Sequence, residues 1–379
     1  MNRRLTIKAW YAMILLLPLF LFLPAKTKGE GEAPWKDYRP KLEMEMIYPV
    51  LYYDTERGFF GVIYGKMSDI LREHDLKFVF YVNDWSDDSQ YVVGYTRHLG
   101  RWSLGANLYS GSTYLGSIWS PGFGEYQKGL SLLGSYHWNN ETRMDLRVQW
   151  EDFETKAFSS VLEDLAEDGR VFGWDATLNH DTHDFLSQDG VRQYLSLGGG
   201  ISLFDTDFDY LKIEGDHRSY HPLGQRLSLI WSARAGKIWG DYPAHRGFLV
   251  GGIQHTSTSA LGTLVNTGLL GILSDSVLRG YNTNAFTGDA FVTSNLELRG
   301  LIWPTDYHNI GGFALIGSIF VDAGQVWNQA EPLASEPPTA WGAGLKFLIL
   351  RGLMLGIDYA VPLDPEKEAK WHFSLGEVF

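Results

Sequence analysis

The chain contains no cysteine, which excludes disulfides, thiolate metal centres and a lipid-modified cysteine anchor. Basic residues are in deficit: 32 Lys and Arg against 45 Asp and Glu leave a formal charge of −13. Nucleic acid is therefore excluded as a partner, because phosphate binding needs a basic face. Beyond the first 25 residues no run of 18 apolar residues occurs, so a membrane would have to be crossed by strands rather than helices. The sequence also lacks G-x-S-x-G, H-E-x-x-H and G-x-x-x-x-G-K-[ST], and no nucleophile-and-base set emerges. Paired carboxylates such as Asp87-Asp88 and Glu163-Asp164 lie in turns and read as solvated surface charge. No enzymatic activity, cofactor or metal is expected. What the chain has in quantity is glycine, 42 residues, and aromatic side chains, including 14 Trp. That combination suits short strands with tight turns and rings placed at a membrane–water boundary.

Residues 1–25 read as a secretory signal peptide: Arg3, Arg4 and Lys8 form a positive start, Ala12 to Pro24 a short apolar core, and Ala25 a small residue for cleavage. The competing reading, a transmembrane helix, meets a core too short to span ~30 Å of hydrocarbon, and one interrupted by Pro18 and Pro24. Residues 26–40 then form a polar periplasmic linker, leaving 41–379 for the body of the protein.

After residue 40 the pattern is alternation. In Thr142 to Trp150, Met144, Leu146, Val148 and Trp150 share one face and Arg143, Asp145, Arg147 and Gln149 the other. A soluble β-sandwich also alternates. Here, however, the polar faces carry small residues, as in Ser103, Gly105 and Asn107, in Ser196, Gly198 and Gly200, or in Gly342, Gly344 and Lys346. Small and charged residues inside with Leu, Ile, Val and Trp outside suit a transmembrane barrel.

Turn signals divide the chain into strands at about 42–53, 58–68, 76–84, 89–98, 101–111, 126–138, 142–152, 171–181, 191–203, 208–217 and 225–238. An irregular stretch, 239–288, follows, and then strands at about 289–301, 313–323, 339–349, 352–361 and 370–379. The expectation is an all-β, antiparallel barrel of sixteen strands, an even number as closure with both termini on one side requires. A long loop precedes the twelfth strand. Connections near 113–124 and 154–170 are also long, and Val161, Leu162 and Leu165 suggest a short helix in the second.

Val277-Leu278-Arg279-Gly280-Tyr281, at the end of the long loop, resembles the loop tip that folds into the lumen of BamA/TamA-like barrels, the bacterial surface antigen family. Asn295-Leu296-Glu297-Leu298-Arg299, Phe320-Val321-Asp322-Ala323-Gly324, Gly344-Leu345-Lys346 and Asp358 to Leu363 resemble the strands that follow it, in the same order. Asp181-Thr182-His183-Asp184 with Gly190 resembles a turn of the family, with His183 where Arg is usual. Phe248 to Gly252 resembles the lead-in to the loop, although an insert over 253–273, Gly- and Leu-rich from Ala260, separates it from Arg279. A lumen plug and ordinary loop filler both fit that insert. His180, Asp181, His183 and Asp184 also admit a metal site, but i, i+3 histidines on a strand face opposite ways, and the family turn accounts for the cluster.

The resemblance implies a barrel in the bacterial outer membrane that inserts or translocates outer-membrane proteins or lipids through a labile seam between its first and last strands. It places Arg279 in the lumen, against carboxylates that alternation turns inward: Glu297, with Thr293, Asn295 and Arg299, and Asp322, with Ser318. A guanidinium can bridge both, bidentately. Gly280 then allows close approach to the wall and Tyr281 packs beside it. Pro49 in the first strand cannot donate to a ladder and fits a weak edge. The final Trp371 to Phe379, with lipid-facing Trp371, Phe373 and Leu375, Gly376 and a terminal Phe379, resembles the C-terminal signal recognised during barrel insertion. Implied partners are membrane lipid, periplasmic accessory proteins and unfolded outer-membrane proteins. The family's periplasmic polypeptide-transport-associated domains have no space here, so a minimal barrel acting alone or with a separate periplasmic partner is expected. Two other functions compete, a passive or gated pore for small solutes and a structural surface-antigen barrel.

Overall fold

The computed structural model describes residues 40–54, 58–83, 90–115, 123–157, 167–183, 189–252, 277–282, 285–303, 313–328, 336–349 and 353–375. The signal and linker calls, the suggested helix at Val161 to Leu165, Asp184, the 253–273 insert, Gly376 and Phe379 lie outside them. Strands β1 to β11 cover Glu43–Asp54, Gly58–Ser68, His74–Asn83, Gln90–Leu99, Trp102–Leu115, Phe123–His137, Thr142–Ala157, Gly169–Asp181, Gly190–Gly200, Asp209–Pro222 and Leu227–Asp241. After a 3-10 turn at Ala244–Arg246 come two short strands, β12 (Phe248–Val250) and β13 (Phe286–Gly288). The chain closes with β14 (Ala290–Trp303), β15 (Phe313–Trp327), β16 (Thr339–Ile349), β17 (Leu353–Pro362) and β18 (Lys370–Leu375).

Sixteen strands form one antiparallel meander, β1 to β11 followed by β14 to β18, while β12 and β13 pair with each other. No ladder joins β1 to β18 among the described residues. Connections at one end of the sheet are short, as at 69–73, 100–101, 138–141 and 223–226. The tightest, Gly100-Arg101, puts Gly100 at φ +62°, the left-handed conformation that a two-residue hairpin needs at its first position.

The two faces are chemically inverted relative to a soluble protein. Ile319 and Val321 on β15 are 58% and 47% exposed, whereas Asp322 between Val321 and Ala323 is fully buried. Arg234, Asp216, Glu151, Glu125 and Lys346 are likewise buried. A polar interior and an apolar exterior are what a bilayer demands of a barrel. The sheet curls around the segment between β11 and β14, which reaches Glu125 and Glu151 on β6 and β7 and also Asp322 and His372 on β15 and β18.

Two expectations are corrected. Strands β5, β6 and β7 run three to five residues further at their loop ends than the hydrophobic pattern indicated, for example to Ala157 in β7. Backbone pairing there continues through polar partners such as Thr155 opposite Glu125, beyond the point where lipid imposes an apolar face. The stretch 239–288 is also not wholly irregular, since Phe248, Leu249 and Val250 pair with Gly288, Thr287 and Phe286. Three-residue strands are too short to leave a period of two.

Candidate functional site

The site is the inner wall around Arg279. Leu278 pairs with Gly252 through both backbone hydrogen bonds, so the chain returning from the loop is clamped against its own start. Phe248, Val250, Leu278 and Tyr281 then pack on Ile238, Phe291 and Ala340 of the wall. This apolar pad orders the backbone on both sides of Arg279. The ring of Phe248 fills the space over Gly236, where a Cβ would collide with it.

Arg279 is wholly buried, and its guanidinium is spent on carboxylates. Nε and Nη2 donate to the two oxygens of Asp322 at 2.7 and 2.8 Å, a bidentate fork. Nη1 donates to Glu297 at 2.9 Å and lies 3.6 Å from Asp358. Its backbone N–H also donates to Asp322, at 3.1 Å, and its guanidinium stacks over the Phe320 ring. Burial works against the charge, yet Asp322, Glu297 and Asp358 more than offset it and hold the pKa above the ordinary arginine value. Glu297 accepts in addition from Arg299 at 2.6 Å and from Lys346. Three cations, Arg279, Arg299 and Lys346, thus face three carboxylates, Glu297, Asp322 and Asp358, in a fully buried cluster. Such a cluster is tolerable only when paired throughout.

The neighbours of Arg279 fix its approach. Gly280 has φ +90° and sits so close to β16 that a Cβ would lie 2.9 Å from that of Ala340. Its N–H donates to Nε2 of His372 on β18 at 2.9 Å. Tyr281 donates its hydroxyl to the Thr339 carbonyl at 3.3 Å. Gly342 and Gly344 on β16 are the complementary half: side chains there would overlap the Phe320 ring and the Asp358 carboxylate.

A second mooring lies where the segment begins. Arg246 in the 3-10 turn pairs with Glu125 and Glu151, stacks over Phe153 at 4.5 Å, and sits beside His245, whose Nε2 is 3.3 Å from Glu125. Glu151 also accepts from Tyr109 at 2.6 Å. The segment therefore crosses from β5–β7 to β14–β18.

Of the residues singled out in the sequence, Arg279, Gly280, Tyr281, Glu297 and Asp322 converge on this wall. Pro49 stands apart, opposite Ile63 in the β1–β2 ladder, and Phe373 points outward, 65% exposed, beside Trp371, whose ring packs at a tilt against Tyr359. His180 bonds Thr142 at 3.0 Å while His183 stacks on Tyr220, so the two rings do not converge. Sequence reasoning did not assign Arg299, Lys346, Asp358 or His372 to the site, nor Arg246 with its two carboxylates. Parity along the strands carried a signal for the first three. None existed for Arg246.

A family model described as the Omp85 superfamily domain matches residues 71–379. Among solved structures, the fold is similar to that of BamA from Haemophilus ducreyi lacking POTRA domains 1-3, with a TM-score of 0.63 at 15% identity over 88% of this chain and 70% of that one. It is also similar to CdiB from Escherichia coli, with a TM-score of 0.51 at 12% identity over 90% of this chain and 67% of that one. At such identities the likeness to these structures is one of fold.

Proposed function

Given that the chain belongs to the Omp85 superfamily and is a β-barrel of the bacterial outer membrane, we propose that it inserts or translocates outer-membrane proteins by opening between β1 and β18, with the Arg279 loop holding the closed state. The observation that carries this reading is the bond from Gly280 to His372. It ties the loop tip to the terminal strand, so release of the tip and freeing of that strand are one event. The Arg279 cluster supplies the holding force, and the absence of a β1–β18 ladder among the described residues leaves that junction as the weak line of the sheet. No covalent step is involved; the work is local opening and thinning of the bilayer. Unfolded outer-membrane proteins and a separate periplasmic partner are the proposed associates.

The test joins two measurements. Depletion of the protein lowers the folded levels of other barrels, and a disulfide engineered between β1 and β18 reproduces that effect until it is reduced. Unchanged barrel levels under both conditions reject the proposal.

A polar lumen favours a second reading, a pore for small solutes. A cavity of about 400 Å³ is lined by Lys77, Asn107, Arg143, Asp145, Arg147 and Asp175 among others, away from the Arg279 cluster. A steady single-channel conductance indifferent to changes at Arg279 supports the pore and counts against the seam.

A further inference from the structure

On the outer wall, one row of directly paired residues departs from the apolar rule. Thr142, His180, Gln193, His217, Ala233 and Ser294 succeed one another across β7, β8, β9, β10, β11 and β14. They share the outward parity of Leu146, Leu195, Leu211, Trp231 and Leu296, all of which are exposed. Three bonds stitch the row: Thr142 Oγ1 with His180 Nδ1 at 3.0 Å, Gln193 Nε2 with His217 Nδ1 at 2.6 Å, and Trp231 Nε1 to Ser294 at 3.1 Å. The Gln193 amide and Nδ1 of His217 satisfy each other, and Nε2 of His217 has no hydrogen-bond partner among the described residues.

The next row outward is Leu178, Leu195, Gly215, Ala235 and Val292. Gly215, Ala233 and Ala235 are small where a lipid-facing wall usually carries bulk, and a Cβ at Gly215 would meet nothing nearer than 3.8 Å. The two rows enclose a shallow, mainly apolar groove of about 390 Å³. His180 stands at the end of β8, on the side of the short turns, which in these barrels is the periplasmic one. Neither row contains a carboxylate.

We propose that this groove binds one phospholipid of the periplasmic leaflet, with an acyl chain over Gly215, Ala233 and Ala235 and the phosphate received by His217, Gln193 and His180. The occupant follows from the chemistry. The groove opens onto lipid, and a void there forfeits dispersion contacts unless a chain fills it. Its polar rim offers N–H donors, and the one acid on its lining, Asp216, is buried and already paired with Arg218 and Arg234, which suits a phosphodiester.

The test uses the whole protein in detergent, titrated with phosphatidylglycerol or with diacylglycerol of the same chains and read by native mass spectrometry. Wild type takes one phosphatidylglycerol with about tenfold preference over diacylglycerol. His217→Leu with Gln193→Leu removes the preference, and Ala233→Leu or Gly215→Val removes binding of both lipids. All four changes lie on the lipid face, and heat-modifiability on a gel verifies folding. Equal binding of the two lipids by wild type, or binding untouched by the groove-filling variants, overturns the proposal. So does a benzophenone side chain at Ala235 that crosslinks a protein instead of a lipid in native membranes.

Discussion

Gly280 donates its backbone N–H to the imidazole of His372, 92 residues further along the chain, so the tip of the lumen segment is bonded directly to the terminal strand. A backbone donor requires an unprotonated ring nitrogen, and only an acceptor at that position preserves the contact. His372→Gln should therefore retain barrel function and its closed seam, whereas His372→Leu should loosen the seam while the barrel stays folded. Disulfide trapping between cysteine pairs on β1 and β18 reads the difference. Equal trapping in both variants would show that the bond does not couple tip to strand.

Arg279→Ala removes the fork that neutralises the buried Asp322, while Glu297 keeps Arg299 and Lys346. Breaking a buried pair by removing one partner costs about 3–5 kcal/mol, so the denaturant midpoint should fall and the loop should become cleavable by protease. Arg279→Lys should recover only part of the loss, because an ammonium cannot make the fork to Asp322. A variant with unchanged midpoint and protease resistance would contradict the bracing role.

Gly280→Ala is costly for two separate reasons. The left-handed backbone strains any L side chain by about 1–3 kcal/mol, and the new methyl meets Ala340 at 2.9 Å. Gly280→Ala combined with Ala340→Gly relieves only the second. The stability of the pair should therefore lie between wild type and the single variant; full recovery would mean that the backbone angle carries no strain.

Arg246→Gln tests the other mooring. Glu125 and Glu151 lose their shared cation, and the expected loss is again about 3 kcal/mol. Proteolysis should open the segment near residue 246 first, leaving the Arg279 end protected. Simultaneous exposure of both ends would show one cooperative latch instead of two.

Much of this architecture was legible in the sequence because a bilayer enforces period two over long strands. Parity alone turns Glu297 and Asp322 inward and Ile319 and Val321 outward, and their exposures in the structure divide the same way. The β12–β13 ribbon was not legible, since three residues carry no period. Arg246 was not legible for another reason: its partners Glu125 and Glu151 lie 121 and 95 residues away, and nothing local distinguishes it from a solvated arginine. The alignment of His180, Gln193 and His217 into one outward row was not legible either, because it depends on the register of the β8–β9 and β9–β10 ladders.

Those long separations bear on the order of folding. The cross-lumen segment is bonded to β6 and β7 behind it in the chain and to β14, β15 and β18 ahead of it. Contacts so distant in sequence repay their loop-closure entropy only late in folding. A nascent barrel interrupted before β18 would hold the Arg246 half of the segment and lack the His372 half, and the last strand to arrive is the one that completes the tie.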